Sequence, residues 1–447
     1  MAGIAGIASE NAEAEVEGML NTIRHRGKES ISVFENEGTT LGLVWNESED
    51  VTVKKLLDEG TVGDDNGSGH FALVKPLNGN FKMYRDELGV APLYHGKDAT
   101  GNVCFASEVK ALQEIAEDIS EIPPGHTFDG NSLKSYFKLE TGTPLEDNPV
   151  QIAVRLRSLL DGAISDCISS EPIGSWLSGG LDSSTICALA VRHVKQLKTF
   201  TAGLKGSPDL EFAGEMADFI KSDHHEIIVT PDDMIRVLPD VIYYLESFDA
   251  LLVRSSITNY LVAKLASEHV SEVFSGEGGD ELFAGYDYLK SIPSEHLEAE
   301  LIKITGNLHN TALQRVDRSA SAHGTRAHVV FANPEVVRFA LTIPVKYKIF
   351  NNQEKWILRK AMEGSLPESI LQRPKAKFWE GAGVENVLSD YASKKITDRD
   401  FRAERHASDG LNINTKEELF YYRIFKDHFG SDHNLKWMGR TMGSPVE

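Results

Sequence analysis

Ser178-Gly179-Gly180-Leu181-Asp182-Ser183-Ser184 stands between an apolar run, Pro172-Ile173-Gly174-Ser175-Trp176-Leu177, and Thr185-Ile186-Cys187-Ala188-Leu189-Ala190-Val191. The order reads as strand, tight turn and helix. Two glycines and several small hydroxyl residues at a helix start leave backbone N–H groups pointing at an anion, and the helix dipole favours negative charge there. The serine hydroxyls add donors for phosphate oxygens, and Asp182 adds a carboxylate for Mg²⁺. No G-x-x-x-x-G-K-[ST] pattern occurs, so this is not a Walker A loop. Read alone, the stretch competes with an ordinary Gly-Ser turn.

A second Gly-rich run, Ser275-Gly276-Glu277-Gly278-Gly279-Asp280-Glu281-Leu282-Phe283-Ala284-Gly285-Tyr286, follows the strand-like Val273-Phe274. Glycines at the carboxyl end of a strand in a doubly wound sheet let a ligand approach the backbone closely. Glu277 and Asp280 can divide the work, one holding Mg²⁺ while the other acts as base or orients an amine. Thr199 to Leu204 and Glu226 to Val229 read as further strands, and Thr230-Pro231 as a helix start. Such alternation predicts an α/β parallel sheet covered on both faces. After Glu300 the pattern is largely helical. The adjacent His224 and His225 point to opposite faces of a strand and do not make a metal pair.

The first third reads mainly as strands and turns. Asn78-Gly79 between Phe71–Val74 and Phe81–Tyr84 is a hairpin signal. Gly63 to Gly69 lacks the spaced acids of an EF-hand and reads as a solvated turn, and Ile122-Pro123-Pro124-Gly125-His126 as a rigid one. Glu140 to Pro149 is polar with Gly and Pro, and helical spacing begins at Ile152. The chain therefore divides into residues 1–143 and 144–447. The 447 residues carry a formal charge of −21, which argues against a nucleic-acid partner. Cys104, Cys167 and Cys187 have no metal or disulfide spacing. Neither a membrane span nor a leader is evident, which makes the cytoplasm the expected location.

The SGGxDS pattern resembles the pyrophosphate loop of the ATP pyrophosphatases, and the chain as a whole is similar to the class B asparagine synthetase family and its relatives, the β-lactam synthetases. The likeness extends over Arg24-His25-Arg26-Gly27, Arg85-Asp86-Glu87-Leu88-Gly89-Val90-Ala91-Pro92-Leu93-Tyr94, Phe105 to Leu112, Gly206 to Leu210, His224-His225-Glu226, Glu354 to Arg359 and Arg373-Pro374-Lys375. It implies an N-terminal layered α+β amidohydrolase (Ntn-type) domain followed by an ATP-pyrophosphatase domain with a helical C-terminal part. It also implies a carboxylate activated by ATP as an acyl-adenylate and captured by nitrogen. By that likeness Ser178, Gly179, Gly180, Ser183 and Ser184 cradle pyrophosphate. Asp182 and Asp280 hold Mg²⁺. Leu177, Ala202, Ser275 and Gly276 contact the nucleotide. Glu277 lies by the acyl-adenylate, and Lys375 neutralises charge developing on phosphate.

Two departures from the family bear on substrates. Where glutamine-dependent members carry a nucleophilic Cys after Met1, this chain has Ala2, whose methyl cannot attack an amide. Lys28 to His70 also lacks the family's glutamine-pocket runs. Glutamine hydrolysis is therefore not expected, and the nitrogen comes from ammonia or an amine. Leu251-Leu252-Val253-Arg254 replaces a Thr-Thr-Ile-Arg-like run, so Leu251, Leu252 and Arg254 belong to the substrate pocket while aspartate is in doubt as the acid. Arg326 and His328 replace an acid and an arginine. A ring-closing reaction of the β-lactam synthetase kind is an alternative, supported by Glu380-Gly381-Ala382-Gly383 after Lys375 and opposed by Glu277, where those enzymes carry Tyr. A silent scaffold is a further alternative. A homodimer is left open.

Overall fold

The computed structural model describes residues 2–168, 172–375, 386–406, 412–430 and 435–441. The run Glu380 to Gly383 lies outside the described residues. In the first third, two antiparallel sheets face each other. One has six strands in the order Ser30–Asn36, Thr39–Trp45, Gly3–Ile7, Val103–Ala106, Tyr94–Lys97 and Glu117–Glu121. The other has five, in the order Leu133–Ser135, His126–Phe128, Asn80–Arg85, Phe71–Leu77 and Val62–Asp65. Alternate residues of the facing strands, among them Ile4, Leu41, Leu43, Val74, Phe81, Met83 and Phe105, fill the space between them. Helix Glu13–Thr22 covers the outer face of the six-stranded sheet with Val16, Met19 and Leu20.

The Asn78-Gly79 hairpin forms as expected. Leu77 pairs with Asn80, and the two turn residues take φ of 49° and 75°, the left-handed region that Asn and Gly tolerate. The stretch Gly63 to Gly69 differs from its reading as a solvated turn. Val62–Asp65 is an edge strand, and Asp64 is buried because its carboxylate accepts from Arg326 Nη2 at 3.0 Å. An ion partner distant in sequence, invisible to local pattern, pulls that acid inside.

The second part is built on a five-stranded, wholly parallel sheet in the order Asp223–Val229, Lys198–Leu204, Gly174–Trp176, Glu272–Ser275, Arg326–Val329. Its last strand lies in the region read as helical. At four residues, it is too short for periodicity to reveal it. Helices cover both faces. Pro149–Cys167 starts from an Asn148 cap reciprocated by Gln151, and Pro231–Leu245 from Thr230 reciprocated by Asp233. The strand order reverses between Gly174–Trp176 and Glu272–Ser275. Open α/β sheets bind ligands at that switch point. His224 and His225 do face apart: His224 meets Thr199 Oγ1 at 2.9 Å, and His225 stacks on Phe200.

Buried charges knit the two parts together. Arg26, braced by Glu108 at 2.6 Å, donates to Asp317 at 2.8 Å, and Lys110 reaches Glu246 at 3.1 Å. Such groups cost several kcal/mol each to desolvate and persist only when paired. All three cysteines are buried thiols.

Candidate active site

Gly174 pairs with Val273 and Ser175 with Phe274, so the two Gly-rich loops leave the sheet side by side. The helix following the first loop begins at Leu181, placing Asp182, Ser183 and Ser184 in its first turn. Gly179 has φ of 67°, and a Cβ there would meet the Phe212 backbone carbonyl carbon at 2.4 Å. The loop is braced internally by Ser178 N–H donating to Ser183 Oγ at 3.2 Å.

Three further glycines bring the loops into contact. A Cβ on Gly276 would lie 2.7 Å from Ser183 N, one on Gly279 2.6 Å from the Asp182 carboxyl carbon, and one on Gly285 2.0 Å from Asp280 Oδ1. Only residues without side chains let the two carboxylates approach.

At this rim two acids and two lysines form one array. Lys355 Nζ pairs with Asp182 Oδ2 and lies 2.6 Å from Asp280 Oδ1, and Lys375 Nζ lies 2.6 Å from Asp280 Oδ2. Burial works against both carboxylates. At Asp182 it prevails and, with the neighbouring Asp280 charge, raises the pKa. At Asp280 the ammonium groups of Lys355 and Lys375 outweigh it and hold the carboxyl well below its usual range. Burial opposes the charge of Lys375 too, but Asp280 and Asp182 hold its pKa above the ordinary lysine value.

The loops open into a cavity of about 650 Å³. Leu177, Ser178, Gly180, Asp182, Ser183, Ala202, Ser275, Gly276, Glu277, Asp280 and Lys375 line it, as do Leu251, Leu252 and Arg254 from the start of helix Ala250–Ser267. Gly179 and Ser184 do not reach its wall. Gly179 serves the turn, and Ser184 is fully buried. Glu277 Oε1 accepts from Arg315 Nη2 at 2.5 Å, and Arg315 Nη1 donates to Ser255 Oγ at 2.8 Å. Arg254 is held by Glu417 through two contacts, one of 3.1 Å. Asp182 Oδ1, Trp176 Nε1, Thr258 Oγ1 and Asn259 Nδ2 are buried in residues of this wall without hydrogen-bond partners. Unpaired buried polar atoms are rare, and a cluster of them around a cavity marks a place for a polar ligand.

Sequence reasoning missed Lys355, Arg315 and the stretch Arg440-Thr441, which also line the cavity. Lys355 falls within the run Glu354 to Arg359, where nothing singles it out. It takes φ of 53° just before helix Trp356–Met362, which turns its side chain between the two acids. No local pattern announces that. Arg440 and Thr441 arrive from the far end of the chain, tied by Thr441 N–H and Oγ1 to Asp249 at 3.0 and 2.7 Å.

The sequence matches the Asparagine synthase family over residues 155–310 and 293–442, and the Glutamine amidotransferase domain over residues 47–167. It is 35% identical over 401 residues to the probable glutamine-hydrolyzing asparagine synthetase of Schizosaccharomyces pombe, covering 80% of this chain and 72% of that protein. It is 33% identical over 397 residues to the glutamine-hydrolyzing asparagine synthetase of Sandersonia aurantiaca, covering 83% and 75%. The solved NMN synthetase of Francisella tularensis overlaps 67% of this chain and 100% of its own at 14% identity and a TM-score of 0.30, a likeness too slight to carry an argument. Among the described residues no helix is long and apolar enough to cross a membrane. With the amidotransferase layer, the parallel sheet and the sequence matches in agreement, this chain belongs to the asparagine synthase family of ATP-dependent, amide-forming carbon–nitrogen ligases.

Proposed function

We propose that the chain activates a carboxylic acid with ATP as an acyl-adenylate, releasing pyrophosphate, and passes the acyl group to ammonia or an amine without hydrolysing glutamine. The observation that carries this reading is the convergence of Asp182, Asp280, Lys355 and Lys375 at the reversal of strand order. A triphosphate laid across the first loop meets helix N–H groups and serine hydroxyls. The acid's carboxylate attacks the α-phosphorus while the bond to the bridging oxygen breaks and pyrophosphate departs. Lys375 and Lys355 compensate the charge on the leaving group.

Asp182 and Asp280 fit Mg²⁺: both are hard oxygen donors, and Asp182 Oδ1 is buried without a hydrogen-bond partner. Bound there, Mg²⁺ would neutralise phosphate charge. Glu277 sits past the phosphates. Its Arg315 partner fixes the carboxylate, which orients the incoming nitrogen and accepts a hydrogen bond from it. Attack of that nitrogen on the acyl carbon forms the amide and expels AMP.

The reading without glutamine is supported by Ala2, a buried methyl group at the place where the family resemblance puts the nucleophile. A ring-closing reaction is less well supported, because Glu277 is engaged by Arg315 rather than replaced by a phenol.

The test measures pyrophosphate and AMP with ATP, Mg²⁺, a panel of acids and ammonia, glutamine or amines. Equal pyrophosphate and amide are expected with ammonia or an amine, and none with glutamine as sole donor. Lys375→Met should cut kcat about 10²-fold with a smaller change in the KM for ATP, as loss of one transition-state charge contact does. Glutamine-driven amide formation, or absence of pyrophosphate with every acid, would refute the reading.

A further inference from the structure

Two arginines on the cavity wall, Arg359 and Arg373, are engaged by backbone carbonyls and by acids other than those of the rim. Arg359, in helix Trp356–Met362, donates from Nε to the Glu354 carbonyl at 2.9 Å and from Nη2 to the Glu354 carboxylate at 2.7 Å. The same guanidinium donates to the carbonyl of Leu371 and, at 3.2 Å, to that of Arg373. It thus fastens the residue before Lys355 to the segment that runs into Lys375. Arg373 carries the link on to the first Gly-rich loop. Its Nη1 donates to the Ser178 carbonyl at 3.0 Å and its Nη2 to Asp209 Oδ1 at 2.6 Å. Its guanidinium carbon lies 4.2 Å from the centre of the Phe212 ring. Asp209 and Phe212 belong to helix Pro208–Ile220, and Phe212 is the residue that a Cβ on Gly179 would strike.

Each of these arginines is matched by one acid, so the pairs add little net charge beside the phosphates. What they supply is direction. A planar guanidinium holds several acceptors at fixed angles, which an ammonium on a flexible stem does not. Lys375 needs such support more than Lys355 does, because its side chain keeps 31% of its surface against 3%. Only Pro374 separates it from Arg373. The proline ring locks its own φ and confines the backbone of the residue before it. Pinning Arg373 therefore reaches Lys375 through a stiff link, and a displacement of about 1 Å in such a group costs about 10²-fold.

Resting on the ligase reading above, we propose that Arg373, braced by Arg359, is a positioning residue: it ties the segment before Lys375 to the Ser178 carbonyl and so sets the distance between the Lys375 ammonium and pyrophosphate held by the first loop.

The experiment is a double-mutant cycle of Arg373→Lys and Lys375→Met in the full chain, read by calorimetric binding of inorganic pyrophosphate with Mg²⁺ and, separately, of AMP. Arg373→Lys keeps the charge and loses the fork. With Lys375 present it should weaken pyrophosphate about tenfold, and in the Lys375→Met background about twofold or less. AMP affinity should stay within about twofold in all four proteins, whereas a merely structural loss would weaken both ligands. Asp209→Asn, which removes the charge steadying Arg373 and leaves both lysine segments intact, should show the same dependence on Lys375 with a loss of about threefold. Where Arg373→Lys loses AMP as well, Asp209→Asn decides by the same criterion. An equal loss with and without Lys375 would mean that Arg373 meets the phosphate itself. That result, unchanged pyrophosphate affinity in Arg373→Lys, or parallel loss of both ligands in both variants would overturn the proposal. Failure of wild type to bind either pyrophosphate or AMP would instead strike the ligase reading beneath it.

Discussion

The border between the amidotransferase layer and the parallel-sheet half, and the rim of the nucleotide cavity, are both buried clusters of acids and bases. At the border Arg326 reaches from the sheet's last strand to Glu49 and Asp64, and Arg26 reaches back to Asp317. The rim differs in opening onto a cavity of about 650 Å³, whose wall includes Asp182, Thr258 and Asn259. Enclosed pairs hold a structure together, and an array that faces a cavity can receive a ligand. The difference points to the switch point of the parallel sheet as the place for the ligase chemistry.

The largest expected effect lies at the rim. Asp280→Asn should lower pyrophosphate release at least about 10³-fold, because it removes the carboxylate that both lysines share and a donor of the proposed Mg²⁺ site. A coupled pyrophosphate assay on protein with an unaltered circular-dichroism spectrum measures it. Retention of a tenth of the activity would erase the distinction between rim and border.

Next comes the border. Arg326→Gln should cost about 3 kcal/mol of stability, since buried Glu49 and Asp64 would both lose their ion pair with Arg326. Denaturant midpoints measure the loss. The turnover of the remaining folded enzyme should stay within about twofold of wild type, the separation of stability from rate that the comparison requires.

Much of this was legible in the sequence, for reasons particular to each region. The two loops announced themselves because glycine and aspartate are needed at fixed steps after a strand, and the Asn78-Gly79 hairpin because its turn demands positive φ. The family resemblance located Lys375 although nothing local marks it. The strand Arg326–Val329, the burial of Asp64 and the place of Lys355 between two acids were not legible. Each depends on a partner distant in the chain: Arg326 pairs with Asp64, 262 positions away, and Lys355 with Asp182, 173 positions away. Periodicity reports which face of an element is buried, not which charge will meet it.

Acid titration sharpens the comparison, because a border acid and a rim acid should pull stability in opposite directions. Glu121 is a border acid, set between Arg85 and His309, the latter 3.4 Å away. Burial opposes its charge, but Arg85 and His309 outweigh that and lower its pKa from 4.5 to about 2. A carboxyl depressed in the folded state contributes stability that is present above its unfolded pKa and lost as pH falls through the folded one. Wild type should therefore lose up to about 3 kcal/mol more than Glu121→Gln between pH 5 and 2, the free energy of that shift. Asp182 is raised by burial, so the folded form holds its proton more tightly than the unfolded chain does. Its contribution is present at low pH and fades as pH rises through the folded value, and Asp182→Asn should remove a slope of the opposite sign. Urea unfolding of wild type and both variants across pH 2 to 7 reads both slopes. Slopes of the same sign would mean that the rim carboxylate is an ordinary structural ion pair.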